Sequence, residues 1–172
     1  MQRRSFLISL SAVASLQGKG AIVKIVEFDG SGQSKGVVEV EKMVKTEQEW
    51  RQQLSREAFE VTRERGTELA FSGKLNKHYE DGIYRCVCCG TALFDSKTKF
   101  DSGTGWPSFY APIAKENVAD KMDATLGMIQ VESRCARCDA HLGHVFDDGP
   151  QPTGRRYCMN SAALTFSPRD KI

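Results

Sequence analysis

The sequence predicts a mainly β domain entered through short N-terminal helices, on three observations. From residue 82 onward, short apolar runs alternate with Gly, Pro, Asp and Ser, the texture of strands joined by turns. Between residues 46 and 66 the pattern is helical, with a capping signal at each of two starts. Before that, two β-branched runs flank a turn-rich stretch and read as a hairpin. A chain of 172 residues, 40% hydrophobic and 27% charged, can bury one core, which excludes wholesale disorder.

Taken in order, Ile22, Val23, Ile25, Val26 and Phe28 supply the first strand and Gly36 to Val40 the second, with Asp29 to Ser34 as the turn. Thr46 with Glu49 three positions on is a capping box opening a helix through Trp50 and Leu54. Ser55 caps a second helix from Arg56 to about Arg65, with Gly66 as its stop signal. The chain thus divides into a leader over 1–19, a hairpin extension over 20–44, a main body over 45–167 and a tail over 168–172. Arg3 and Arg4 precede an apolar stretch ending near Leu16, the order of an export signal and similar to a twin-arginine leader. It predicts a periplasmic protein; if these arginines mean nothing, the protein is cytoplasmic. Lys and Arg number 24 against 22 Asp and Glu, a net charge of +2, and neither half is a basic arm, which argues against a nucleic-acid partner. No apolar run reaches the roughly 18 residues of a membrane span.

The six cysteines fall as a cluster, a pair and a singleton. Cys86 and Cys89 form one C-x-x-C, and Cys135 and Cys138 another. Two such pairs can hold Zn²⁺ tetrahedrally, and four thiolates leave the metal no open position, so this zinc is expected to be structural. Two disulfides, or one redox-active C-x-x-C, are the alternatives. Cys88 is left over between two proposed ligands.

Arg156 to Phe166 reads as a strand carrying Cys158, on which Arg156, Cys158 and Asn160 share a face. A neighbouring guanidinium lowers a thiol pKa, so Cys158 is expected to be activated. An inert buried cysteine is the plainer reading. His141 and His144 follow Cys138 on a loop that the metal would stiffen, and imidazole can donate a proton near neutral pH, although the pair could instead bind a second metal. The loop Ser102 to Phe109 presents Trp106, either as a wall for a small apolar group or as plain core.

Together, C-x-x-C-G, Ser102-Gly103-Thr104-Gly105-Trp106-Pro107-Ser108-Phe109, the second C-x-x-C, His141-Leu142-Gly143-His144-Val145-Phe146 and Arg156-Tyr157-Cys158-Met159-Asn160-Ser161 resemble the methionine sulfoxide reductase B family, from about Glu47 to Phe166. The resemblance implies two antiparallel sheets in a β-tent-like fold, and reduction of the R epimer of methionine sulfoxide, free or in proteins. It implies Cys158 as the nucleophile, passing through a sulfenic acid. His144, assisted by His141, would serve the sulfoxide oxygen, with Asn160 and Arg156 in support. Trp106 would hold the substrate methyl, with Asp148 orienting that wall, and a thioredoxin-like or other thiol would supply electrons. One departure stands out: Thr104 occupies a position where many members carry a resolving cysteine, and a hydroxyl cannot exchange with a disulfide. Either Cys88 resolves, or an external thiol reduces the sulfenic acid directly. Two rivals remain, a non-catalytic zinc module that binds through the Trp106 loop and a peroxide-reactive sensor thiol.

Overall fold

The computed structural model describes residues 20–123 and 130–170, so the leader expected over 1–19 lies outside the described residues. The hairpin forms as read: β1 (Ile22–Phe28) pairs antiparallel with β2 (Ser34–Glu41), and the Asp29 carboxylate ties the turn by accepting from the Ser31 hydroxyl and the Gln33 N–H. Helix α1 (Glu47–Gln53) opens with the Thr46–Glu49 capping box complete in both directions. Helix α2 (Arg56–Glu64) starts at Ser55, whose hydroxyl accepts the Ala58 N–H. Trp50, Leu54, Ala58, Phe59 and Val61 recur at helical spacing and are all buried.

The stop of α2 differs from the expectation by one residue. Arg65, not Gly66, takes the left-handed conformation, with φ of 60°. A non-glycine there costs about 1–2 kcal/mol. From that position the Arg65 guanidinium reaches the carboxylates of Asp123 and Glu132, which offsets the cost.

The remaining strands are β3 (Gly82–Cys86), β4 (Ala92–Asp95), β5 (Lys99–Phe100), β6 (Ser108–Phe109), β7 (Val118–Asp123), β8 (Gln130–Cys135), β9 (His141–Phe146), β10 (Arg156–Met159) and β11 (Leu164–Pro168). They form two antiparallel sheets, one ordered β5-β6-β10-β9-β8-β7 and one ordered β11-β3-β4. The expected pair of sheets is therefore present, with the hairpin as a separate ribbon. Tyr84 and Phe94 from the small sheet meet Phe109 from the large one, with ring centroids 4.9 and 4.4 Å apart, and all three are fully buried.

The expectation of one strand over Arg156 to Phe166 is corrected. The chain leaves the large sheet after Met159, turns through the 3₁₀ segment Ser161–Ala163 and enters the small sheet as β11. The Glu68 carboxylate accepts the N–H groups of Ser161 and Ala162, at 2.7 and 2.9 Å, where a continuous strand would have needed ladder partners.

The hairpin is bound to the body at several points. Ile25 is buried, the Met43 N–H donates to the Arg137 carbonyl, Lys42 pairs with Asp139 at 2.7 Å, and Arg169 donates to the Ser31 carbonyl. The central fastener is fully buried Asn117. Its side chain mimics a peptide group: Oδ1 accepts the Val26 N–H at 2.7 Å, and Nδ2 donates to the carbonyls of Val26 and Ala92 at 2.8 Å each. Asn117→Ala strands these backbone groups and is expected to cost about 2 kcal/mol. Thermal unfolding and amide exchange would check this: exchange at Val26 should accelerate well ahead of exchange in β9, and equal acceleration would show that the hairpin is held by other contacts.

Candidate active site and metal centre

The sulfurs of Cys86, Cys89, Cys135 and Cys138 lie within 4.8 Å of one another. Cys86 is 3.6 Å from Cys138 and Cys89 is 3.5 Å from Cys135, so ligands from both C-x-x-C turns interleave. A tetrahedron of Zn–S bonds of about 2.3 Å has sulfurs about 3.8 Å apart, and this arrangement fits. A disulfide needs about 2.05 Å. Each pair sits on a tight turn: the Gly90 N–H returns to the Cys86 carbonyl, and the Asp139 N–H to the Cys135 carbonyl. Helix α2 adds a cation the sequence did not flag. Arg63 donates to the Cys138 carbonyl at 2.9 Å and lies 3.6 Å from the Cys88 sulfur and 3.8 Å from that of Cys138. Its charge opposes that of gathered thiolates.

Cys88 is buried beside this cluster, with its sulfur 3.4 Å from the Thr62 hydroxyl on α2. Cys158 has different neighbours. Strand β10 lies between β6 and β9, and Cys158 is directly opposite Ser108 on one side and His144 on the other. Residues directly opposite share a face, so thiol, imidazole and hydroxyl converge by register. That close approach requires Gly143, since a Cβ there would lie 2.0 Å from the Cys158 carbonyl oxygen.

Above this face is a mostly apolar cavity of about 140 Å³, lined by Thr67, Trp106, Gly143, His144, Phe146, Cys158, Met159 and Asn160. Its volume is well below the roughly 300–1,000 Å³ of pockets for drug-sized ligands and suits a small group such as a methyl sulfoxide. Cys158, His144, Trp106 and Asn160 thus meet in one place. Asn160 lies just beyond the end of β10, with its side chain donating to the Leu142 carbonyl. Behind His144, His141 is buried with its Nδ1 2.7 Å from a Glu132 carboxylate oxygen, and the two imidazoles meet edge to face at 5.3 Å. Glu132 also takes ion pairs from Arg65 and Arg134. Burial pushes both histidines below their ordinary pKa, with Glu132 opposing, so each is neutral at pH 7. Among the described residues, the four cysteines are the one group of three or more potential ligands placed to hold a metal.

Two expectations change. Asp148 does not hydrogen-bond to Trp106. Its carboxylate takes a bidentate bond from Arg156, both contacts 2.8 Å, while the indole N–H of Trp106 donates to the Glu68 carbonyl at 3.1 Å. Burial also pushes the Cys158 thiol above its ordinary pKa, against the expected lowering, and the opposing effects of Thr104, Arg156 and Ser108 do not overcome it. Burial is the larger effect, and the Arg156 guanidinium that opposes it is shared with Asp148. Alkylation of Cys158 by iodoacetamide, followed by mass spectrometry, is therefore expected to rise with pH through a midpoint above that of free cysteine. Asp148→Asn unmasks Arg156 and should lower the midpoint. A wild-type midpoint below that of free cysteine would contradict this picture.

Thr104 stands where a resolving thiol would be useful, with its hydroxyl 3.9 Å from the Cys158 sulfur and bonded to Ser102 at 2.8 Å. Glu68, Glu132 and Ser108 were not legible as site residues. The only hint in the sequence was that a buried histidine needs a partner for its second nitrogen.

Comparison with known proteins agrees with this geometry. The family profile of the SelR domain matches residues 54–168, leaving the hairpin outside it. The peptide methionine sulfoxide reductase MsrB of Pseudomonas putida strain F1 is 57% identical over 131 residues, 76% of this chain and 100% of the relative. Its counterpart from Hahella chejuensis is 55% identical over 131 residues, 76% of this chain and 94% of the relative. A Pseudomonas fluorescens Pf-5 protein of the same name is 57% identical over 130 residues, covering 76% of this chain and all of the relative. On the matched span, the coverage and these identities, the chain belongs to the SelR, or methionine sulfoxide reductase B, family.

Proposed function

We propose that this protein reduces the R epimer of methionine sulfoxide, free or in proteins, to methionine through a sulfenic acid on Cys158. The observation that carries the reading is the small apolar cavity in which the Cys158 thiol, the His144 imidazole and the Trp106 indole face the same space. Trp106 and Phe146 would take the methyl group, leaving the sulfoxide sulfur toward Cys158 and its oxygen toward His144 and Asn160.

The proton inventory suits this chemistry. Cys158 is held as a thiol and His144 as a neutral base, so together they carry one proton. His144 takes that proton as the thiolate attacks the sulfoxide sulfur and returns it to the oxygen; the hydroxyl then passes to the Cys158 sulfur, forming that S–O bond as the substrate's S–O bond and the transient bond between the two sulfurs break. The products are methionine and Cys158–SOH, with no net proton gained or lost. An external thiol then displaces water from the sulfenic acid to form a mixed disulfide, and a second thiol releases reduced Cys158. The rival without catalysis gives no reason for a thiol directly opposite an imidazole in a small cavity, and a peroxide sensor gives none for the Trp106 wall. Turnover of separated R and S epimers with dithiothreitol tests the reading: saturable reduction of R alone supports it, and no reduction by folded protein refutes it.

Zn²⁺ would be held by Cys86, Cys89, Cys135 and Cys138 and, having no open position, would supply no chemistry beyond fastening the two loops. For the resolving step we favour an external thiol such as a thioredoxin-like protein, because Cys88 is packed against Thr62 and Arg63, away from the Thr104 side of Cys158. Cys88→Ser is then expected to retain turnover within about twofold, with no linkage to Cys158 seen by mass spectrometry after one oxidising turnover. A Cys88–Cys158 peptide would reverse that assignment. The Arg3-Arg4 leader supports export to the periplasm, where the donor would be an exported or membrane-linked thiol. No described helix is long and apolar enough to cross a membrane.

A further inference from the structure

Between α2 and β3, one buried acidic residue does not line the substrate cavity but hydrogen-bonds to two residues that do. Glu68 is 6% exposed and makes four hydrogen bonds. Its side-chain oxygens accept the N–H groups of Ser161 at 2.7 Å and Ala162 at 2.9 Å, in the turn that follows Cys158 and Asn160. Its own N–H donates to the Asn160 side-chain oxygen at 3.0 Å, and its carbonyl accepts the Trp106 indole N–H at 3.1 Å. Three residues on, the Phe71 N–H donates to the Gly105 carbonyl at 2.8 Å, so the same segment also grips the backbone beside Trp106. Gly105 is required there, because a Cβ would lie 2.8 Å from the Phe71 ring.

We propose that Glu68 is a positioning residue for the sulfoxide cavity, fixing the Trp106 and Asn160 walls to each other through its backbone while its carboxylate anchors that backbone to the turn after Cys158. The role rests on the reductase reading. A residue on a loop has many conformations available, and two charge-assisted bonds to backbone N–H groups remove them. The indole then keeps one orientation because its acceptor does not move. Asn160, held at both ends by Glu68 N–H and Leu142 carbonyl, keeps its amide from rotating. The Cys158 thiol is not part of this tether: its register partners are Ser108 and His144, and Arg156 is held by Asp148.

Removing the anchor should therefore loosen substrate walls and spare the nucleophile. Glu68→Gln keeps one acceptor oxygen but places an amide donor against a backbone donor; Glu68→Ala loses both bonds. The expected result is a graded rise in KM for the sulfoxide, several-fold for Gln and about tenfold or more for Ala, with a smaller fall in kcat, since misplacement on the scale of an ångström costs up to about a hundredfold. Alkylation of Cys158 should keep its wild-type pH midpoint. In a Trp50→Phe background, Trp106 is the remaining tryptophan, and its fluorescence should become more accessible to acrylamide in both variants. A residue that only supports folding would lower the melting temperature and the active fraction while leaving KM and quenching unchanged; that outcome in the Gln variant overturns the proposal. If wild type fails to reduce sulfoxide, the reductase reading falls by itself, and quenching of Trp106 still decides whether Glu68 tethers it.

Discussion

Cys158→Ser is expected to abolish sulfoxide reduction, by about 10⁴-fold or more in kcat with dithiothreitol present. The oxygen must end on sulfur, and a serine hydroxyl at that place cannot accept it: no stable oxidised form of serine corresponds to a sulfenic acid. The substitution changes little else. The side chain is of similar shape, lies half-buried at the cavity floor and has hydroxyl neighbours in Ser108 and Thr104 that a serine can join. Melting temperature and metal content should therefore match wild type, which separates chemistry from folding. Substrate should still bind, so a methionine sulfoxide peptide ought to protect Trp106 from acrylamide in the inactive variant. Residual turnover above one per cent would mean that another group accepts the oxygen, and the assignment of Cys158 would be wrong. Reaction with hydrogen peroxide is a useful companion. A thiol pushed up by burial should react sluggishly with peroxide, whereas a sensor thiol reacts fast because it is ionised.

The second large effect is on stability. One Zn²⁺ per chain is expected, and Cys138→Ser should remove it and with it the cooperative unfolding of the domain. Binding of structural Zn²⁺ by four such ligands is worth apparent free energies of about 10–16 kcal/mol in small domains, comparable to or larger than the whole stability of an ordinary domain. Here the metal would join the turn after β3 to the turn after β8, one from each sheet, where Arg63 alone offers a much weaker link. Without a ligand set, Arg63 loses the charge it faces and the buried sulfurs of Cys86, Cys135 and Cys138 are exposed to oxidation. Metal analysis, release to a chromogenic chelator and thermal unfolding read this out. Because the hairpin packs on the same turns through Lys42–Asp139 and Met43–Arg137, it should detach along with the metal. Unchanged melting of a metal-free, reduced protein would show that the cluster is not a structural zinc site. Cys158→Ser serves as the control that keeps its metal.

Much of this molecule was legible locally. Thr46 with Glu49, Ser55 before Arg56 and the Asp29 to Ser34 turn each satisfy their own backbone within a few residues, so their outcomes do not depend on the rest of the fold. Paired C-x-x-C turns are local too, and so is the alternation that puts Arg156 and Cys158 on one face. The four-cysteine cluster, the strand carrying Cys158 and the histidine pair could be named from such patterns and from their order along the chain.

What the sequence could not decide were properties set by partners far away. Whether the Cys158 thiol is lowered depends on its burial, which outweighs Arg156, and on Asp148, which engages that guanidinium in a bidentate pair. Where the final strand breaks depends on Glu68, more than 90 residues earlier, supplying acceptors for Ser161 and Ala162. The left-handed turn falls on Arg65 instead of Gly66 because Asp123 and Glu132, on the distant strands β7 and β8 of the large sheet, reward it. Local patterns determined which chemical groups exist and which strand or turn carries each. Tertiary structure decided their charge states and orientations, because hydrogen bonds and Coulombic interactions act over ångströms of space and are indifferent to distance along the chain.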